Sequence, residues 1–283
     1  MWGKIMSVIE INNFSKNYGK TLAVDDISLS VEKGEIVGFV GKNGAGKSTT
    51  IRAILNMISP SKGYIKINGL NSVNDSKQIK ERLSYMPSEA SFYEKLLVAD
   101  LFKFCLKFSD EGFEYAEELA NYFELDMNKK ISELSLGNRK KVSIIQALLK
   151  KAEIIILDEP TSGLDPLMQN KFFDLLSKEK EKGVTIFLSS HNLSEVEKYC
   201  DKVAIIKDGK IVDFLDMKNV KIKRQHKVSY TTDDGKNESF DFDGDINELV
   251  AKISLLKLES LEIKNKTIED EFISFYKDGE QDA

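Results

Sequence analysis

The stretch EIVGFVGKNGAGKSTT, residues 35–50, decides the fold. Its first half, Glu35 to Val40, is an apolar run of the kind that forms a strand covered on both faces, and it stops at Gly41. Its second half, Gly41-Lys42-Asn43-Gly44-Ala45-Gly46-Lys47-Ser48-Thr49, satisfies the pattern of a phosphate-binding loop between a strand and a helix. Glycines let the backbone curl until its N–H groups face an anion, and the following helix adds the positive end of its dipole. On this reading Lys47 reaches the β- and γ-phosphates of a nucleotide and the Ser48 hydroxyl ligates magnesium. Gly41, Asn43, Gly44, Ala45, Gly46 and Thr49 complete the candidate nucleotide contacts.

Working outward, Ile51, Ile54, Leu55 and Ile58 recur at helical spacing and predict an amphipathic helix packed on a sheet. Upstream, Val8-Ile9-Glu10-Ile11 and Ile27-Ser28-Leu29-Ser30-Val31 alternate as strands of an antiparallel entry. Downstream, Ile154-Ile155-Ile156-Leu157 is a second buried strand, and it delivers Asp158 and Glu159 at its carboxyl end, where ligands of open α/β sheets bind. Asp158 is expected to hold magnesium through water, and Glu159 to polarise an attacking water. A third apolar run, Val184 to Leu188, supplies another parallel strand and completes an α/β core.

Between these strands the texture changes. Leu101, Phe102, Cys105 and Phe108, then Ala116, Leu119, Ala120 and Phe123, predict a helical subdomain over about residues 90–150. From residue 216 the chain turns to charged, short-strand segments around Asp234-Gly235, with a helix expected from Ile246 to Leu256 and another from Ile268 to Tyr276. Residues 1–215 are therefore expected as one domain and 216–283 as a small α+β appendage. The aspartates at 241, 243 and 245 do not make a calcium loop, because Lys252 stands where the bidentate glutamate should fall.

Composition excludes several classes. With 283 residues and 41% hydrophobic content the chain buries a sizeable core, and a net charge of -5 argues against a broad nucleic-acid or anionic-lipid surface. Cys105 and Cys200 lack metal-ligand spacing and are expected as reduced thiols of a cytosolic protein. The sequence has no apolar run long enough to span a bilayer, and Met1 to Met6 carries no signal core, so membrane contact is expected only through a partner.

In the order of these motifs the chain resembles the ATP-binding cassette (ABC) family over about residues 7–215. The resemblance implies a phosphate-loop NTPase cassette with an antiparallel β subdomain and a helical subdomain, binding ATP and Mg2+. Tyr18 matches the aromatic position on which adenine stacks, Ser162-Gly163-Leu164-Asp165 the loop that signals across a dimer, and His191 the switch histidine that contacts the γ-phosphate. Leu134-Ser135-Leu136-Gly137-Asn138 stands where the family carries Leu-Ser-Gly-Gly-Gln, and it keeps Ser135 and Gly137, the positions that meet the γ-phosphate. Leu136 and Asn138 depart from that pattern. So does Ser88 in Tyr85-Met86-Pro87-Ser88-Glu89, where the family has a glutamine that reaches magnesium; the shorter serine is expected to act through an extra water, with altered coupling to the membrane subunit.

In the family, the phosphate loop of one subunit faces the signature helix of another, so a chain with one copy of each motif implies a dimer, identical or with a related cassette. The implied partner is a transmembrane permease at the cytoplasmic face of the membrane, with no nucleic acid. The Ser-Glu variant at 88–89 and the tail Glu269-Asp270-Glu271-Phe272 are similar to bacterial exporters of drugs or of antimicrobial or amphipathic peptides. A phosphate-loop GTPase is disfavoured because Asn128-Lys129-Lys130-Ile131 lacks the aspartate of a guanine reader. A non-transport cassette acting on ribosomes or DNA is the alternative, although the tandem cassettes and long coiled coil of those relatives are missing.

Overall fold

The computed structural model describes residues 7–220 and 225–265. It opens on a long hairpin, β1 (Ser7–Tyr18) and β2 (Thr21–Glu32), followed by the buried strand β3 (Ile36–Val40) and helix α1 (Lys47–Ile54). Then come β4 (Lys62–Ile67), β5 (Leu70–Asn71), α2 (Ser76–Glu81) and β6 (Leu83–Met86). Three helices fill the expected helical stretch: α3 (Val98–Leu106), α4 (Phe113–Tyr122) and α5 (Leu136–Leu148). The core resumes with β7 (Ile154–Asp158), α6 (Pro166–Glu181), β8 (Thr185–Ser190), α7 (Leu193–Tyr199), β9 (Lys202–Lys207) and β10 (Lys210–Asp216).

Two sheets organise this part of the chain. A four-stranded sheet runs in the order β2-β1-β4-β5, antiparallel, and a six-stranded sheet runs β10-β9-β3-β8-β7-β6. In the second, β3, β6, β7, β8 and β9 are parallel, and β3, β7 and β8 are buried at every position, which is why their sequences read as unbroken apolar runs. Phe39 and Phe187 pack ring to ring between β3 and β8 with centroids 5.5 Å apart. Because the strands are parallel, their carboxyl ends lie along one edge. Gly41, Ser88, Glu159 and His191 each follow a strand within a few residues, so chain direction alone brings four distant segments together.

The two entry strands are longer than their alternation suggests, twelve residues each, because bulges between Ile11 and Lys16 break the period without ending the pairing. Helix α1 stops at Ile54, short of Ile58: Asn56 takes a left-handed φ of 49°, tolerated by its short polar side chain, and turns the chain away. Between β9 and β10 a two-residue turn, Asp208-Gly209, has positive φ at both positions, matching the twist of a tight hairpin.

The contacts divide the chain into one unit ending at Phe214 and a second beginning at Leu215. The second unit holds the four-residue helix α8 (Met217–Val220), β11 (Gln225–Thr232), β12 (Asn237–Asp243), α9 (Ile246–Ile253) and β13 (Leu258–Asn265), its sheet ordered β12-β11-β13. The Asp234-Gly235 turn joins β11 to β12, and Val228, Leu249 and Ile253 form the centre of a small core between sheet and helix. Asp245 caps α9 by accepting from Asn247 N, and the helix ends at Ile253, before Leu256. Ile268–Tyr276 and the Glu269–Phe272 tail lie outside the described residues.

Candidate functional site

The loop after β3 is built by close packing. A Cβ on Gly41 would lie 2.4 Å from the Ile206 carbonyl oxygen, so only glycine lets the backbone pass there. Gly46, at φ 110°, then caps α1, and its backbone carbonyl accepts from Thr50 N at 3.0 Å. A brace comes from the hairpin turn: Gly209 N donates to the Ala45 carbonyl at 3.1 Å, and Asp25 N to the Gly209 carbonyl at 2.8 Å. The loop surrounds a cavity of about 280 Å³ lined by Asn43, Gly44, Lys47, Ser48, Thr49, Ser88 and Glu159, among others.

Lys47 points back over this loop. Its buried ammonium donates to the Gly41 carbonyl at 2.5 Å and lies 3.2 Å from Glu159 Oε1. Glu159 sits just beyond β7 with a left-handed φ of 49°, a conformation that costs a non-glycine residue roughly 1 kcal/mol. That turn carries the Glu159 carboxylate to the same cavity that Asp158 approaches from the strand. Glu159 Oε2 accepts from His191 Nδ1 at 2.7 Å; since a carboxylate only accepts, the imidazole proton belongs on Nδ1. Glu159 Oε1, in contrast, is buried and receives no aligned hydrogen bond, only the ion-pair contact with Lys47. One carboxylate oxygen is thus fixed by a hydrogen bond, and the other is buried against the Lys47 ammonium alone.

Asp158 is 2% exposed. Its Oδ1 accepts from Ser189 at 2.6 Å and from Ser48 at 3.3 Å, and the Ser189 hydroxyl in turn accepts from Glu159 N at 3.0 Å. Two hydroxyls and a carboxylate make an all-oxygen donor set, the chemistry that suits magnesium. Negative charge at Asp158 also helps push the Tyr85 phenol up to about 12, after burial, which is the larger cause.

A second polar junction lies beside the first. Thr161 donates to Glu195 Oε2 at 2.7 Å and Asn192 Nδ2 to Glu195 Oε1 at 2.9 Å, joining the chain just before Ser162-Asp165 to the start of α7 just after His191. Burial raises the Glu195 carboxyl, against the lowering effect of these two hydrogen bonds. Asp165 itself caps α6, accepting from Met168 N at 3.0 Å.

The remaining sequence candidates lie elsewhere on the surface. Ser135 caps α5, accepting from Asn138 N at 3.3 Å, and Gly137 follows one residue after Leu136, whose side chain is 77% exposed. Tyr18 ends β1 with its ring exposed and the Lys16 ammonium 5.4 Å from its centroid; Ala23, not Tyr18, lines the phosphate-loop cavity from this side. Ser88 lines that cavity beside Glu159, but no hydrogen bond joins its hydroxyl to Asp158. Sequence reasoning missed Ser189, Thr161, Glu195 and the Asp208-Gly209 brace. For Ser189 a signal existed, since two hydroxyls, Ser189-Ser190, close an otherwise apolar strand.

Comparison with known proteins places this geometry. The family model described as ABC transporter matches residues 24–162. An uncharacterised ABC transporter ATP-binding protein of Methanocaldococcus jannaschii is 37% identical over 73% of this chain and 76% of its own length. The bacitracin transport ATP-binding protein BcrA of Bacillus licheniformis is 34% identical over 81% of this chain and 76% of its own. Among solved structures, an ATP-binding subunit of an ABC transporter superposes with a TM-score of 0.70 at 29% identity, covering 76% of this chain and 92% of that one. A bacterial ABC transporter cassette solved as a dimer gives 0.68 at 25% identity, covering 74% and 98%.

Proposed function

This chain belongs to the ABC transporter family as an ATP-binding subunit and ATPase, and we propose that it dimerises on ATP and drives a permease exporting drugs or antimicrobial or amphipathic peptides. The observation that carries the catalytic part is the unequal state of the two Glu159 oxygens, one held by His191 and the other buried beside the Lys47 ammonium with no hydrogen bond of its own.

With ATP in the loop, Lys47 exchanges its contact with Glu159 for the β- and γ-phosphates, where the charge to be neutralised is larger. Glu159 Oε1 then accepts a proton from the water that attacks the γ-phosphorus as its bond to the bridging oxygen breaks and ADP leaves, while His191 keeps the carboxylate aimed. Ser48 and Asp158 would hold the magnesium ion, which supplies charge neutralisation on the phosphate oxygens when bound. Ser135 and Gly137 of a second copy, or of a related cassette, close the cavity from outside; a helix N-terminus that faces solvent suits an anion brought by another molecule.

Transport requires a partner, because no helix among the described residues is long and apolar enough to cross a membrane. A groove of about 580 Å³ beside the Ser88 loop offers that partner a seat, lined by Tyr85, Phe92, Tyr93, Leu96 and Phe104, with Tyr93 84% exposed. Its apolar floor fits an amphipathic helix from a permease at the cytoplasmic face. Similarity to a bacitracin transport protein supports the cargo class.

The test is direct. Calorimetry of the purified chain with ATP and magnesium should register binding, and affinity capture from membranes should recover a multi-span permease whose cargo stimulates ATPase activity. Absence of nucleotide heat removes the motor reading; capture of ribosomes or DNA in place of a permease removes the transport reading.

A further inference from the structure

Two consecutive basic residues follow the exposed start of α5, and both turn toward the segment after β6. Arg139 grips Glu94 with both terminal nitrogens, at 2.8 and 2.9 Å. Lys140 goes deeper: it is 8% exposed, and its ammonium donates to the Ser88 carbonyl at 3.0 Å. A cation so withdrawn from water is costly unless negative charge compensates it. The compensation comes from the catalytic end of the sheet, since Glu159, Asp158 and Glu89 all act to keep Lys140 charged, against the larger opposing effect of burial.

Ser88 faces two cavities. One is the phosphate-loop cavity it shares with Glu159. The other, about 330 Å³, lies between Ser88, Leu136, Lys140 and Ser162. The Lys140 side chain therefore runs from the helix that presents Ser135 and Gly137 to the wall of the chain's own nucleotide cavity. We propose that Lys140 is a positioning residue that fastens the Ser88 loop to helix α5, so that occupancy of one nucleotide cavity sets the aim of the Ser135 end toward the other. This rests on the two-cassette reading above, and it ties the Ser88 loop to α5 through the Ser88 backbone carbonyl, independently of what the Ser88 side chain reaches. Helix α5 transmits the displacement because thirteen residues of continuous helix move as one body.

The experiment compares full-length wild type, K140M and K140R for ATP turnover with magnesium, and for thermal melting, with E159Q run in parallel. Methionine keeps the buried volume and removes the charge; arginine keeps the charge and a donor. For K140M, kcat should fall about tenfold or more, the scale of a small misplacement at a reacting centre, while KM changes by less than about twofold. The steepness of the ATP dependence should fall with it, and K140R should recover most of both. If K140M melts early, K140R alone decides, a kcat near wild type supporting the link and a low kcat with normal melting overturning it. A K140M enzyme that folds and turns over like wild type, or a loss that K140R does not repair, sinks the inference. The outcomes separate cleanly: normal K140M beside an inactive E159Q removes only this inference, whereas an active E159Q removes the catalytic reading on which it stands.

Discussion

At the carboxyl edge of the sheet, Asp158 is 2% exposed and sits within a lattice of short contacts to Ser48 and Ser189, with Lys47, Glu159 and His191 in line beside it. At the start of α5, Leu136 is 77% exposed, and the Ser135 hydroxyl does no more within its chain than cap its own helix. The first region is closed on itself by mutual contacts among its polar groups. The second shows a helix N-terminus, with its orphan donors, to solvent. The difference teaches how unevenly the proposed site is distributed: the groups proposed to react are held together by the fold, whereas those proposed to seal them face solvent.

The comparison breaks most sharply at Glu159. Glu159→Gln removes the proposed base while keeping shape and the left-handed turn, so turnover should fall about 10³-fold or more with ATP binding retained. Dimers should then accumulate in sedimentation with ATP and magnesium; a monomer at saturating ATP would mean that the α5 terminus does not seal the site. Lys47→Ala tests the same region for binding. Losing a charge-assisted contact to phosphate is worth about 1.5–3 kcal/mol, so the ATP dissociation constant should rise about 10- to 100-fold by calorimetry.

The α5 end should respond differently. Ser135→Ala deletes a cap worth about 1 kcal/mol, which a urea midpoint will register, yet ATP affinity of the isolated monomer should not change. A weakened monomer affinity would show that Ser135 serves its own chain's site and would erase the contrast. The smallest effect belongs to Glu195, which ties the segment before Ser162 to the start of α7 through Thr161. Burial raises its pKa from the ordinary 4.5, so folding takes up a proton and this group's contribution to stability falls as pH rises through the raised value. Glu195→Gln does not titrate. The urea midpoint of the variant relative to wild type should therefore shift in the variant's favour as pH rises from 4.5 through the raised value, and a difference independent of pH would show that the carboxyl is not strained.

How much of this was legible beforehand follows the same divide. Lys47, Ser48, Asp158 and Glu159 sit in motifs that are contiguous in sequence and placed at strand ends, and strand direction does the rest. Ser189 was hidden because its role comes from register: it lies beside Asp158 across parallel β7 and β8, a pairing that no local pattern encodes. Lys140 reads as one more charge on a helix, and only the packing of α5 against the segment after β6 buries it. Helix ends failed for a similar reason. Apolar spacing ran on to Ile58 and Leu256, but the left-handed backbone at Asn56 turns the chain after α1, and α9 stops at Ile253 with Leu255 left 86% exposed beyond it.

The place of β3 in its sheet has a further consequence, in time. Its two neighbours, β8 and β9, come from residues 185–190 and 202–207, so Val37 finds Phe187 on one side and Lys202 on the other. During synthesis the strand that anchors the phosphate loop is an apolar ribbon with both edges unpaired until translation has passed Ser190, and with one edge unpaired until it has passed Lys207. Nucleotide can therefore assist only the closing stage of folding, and a chain truncated before β8 leaves both edges of this strand exposed to wrong pairing.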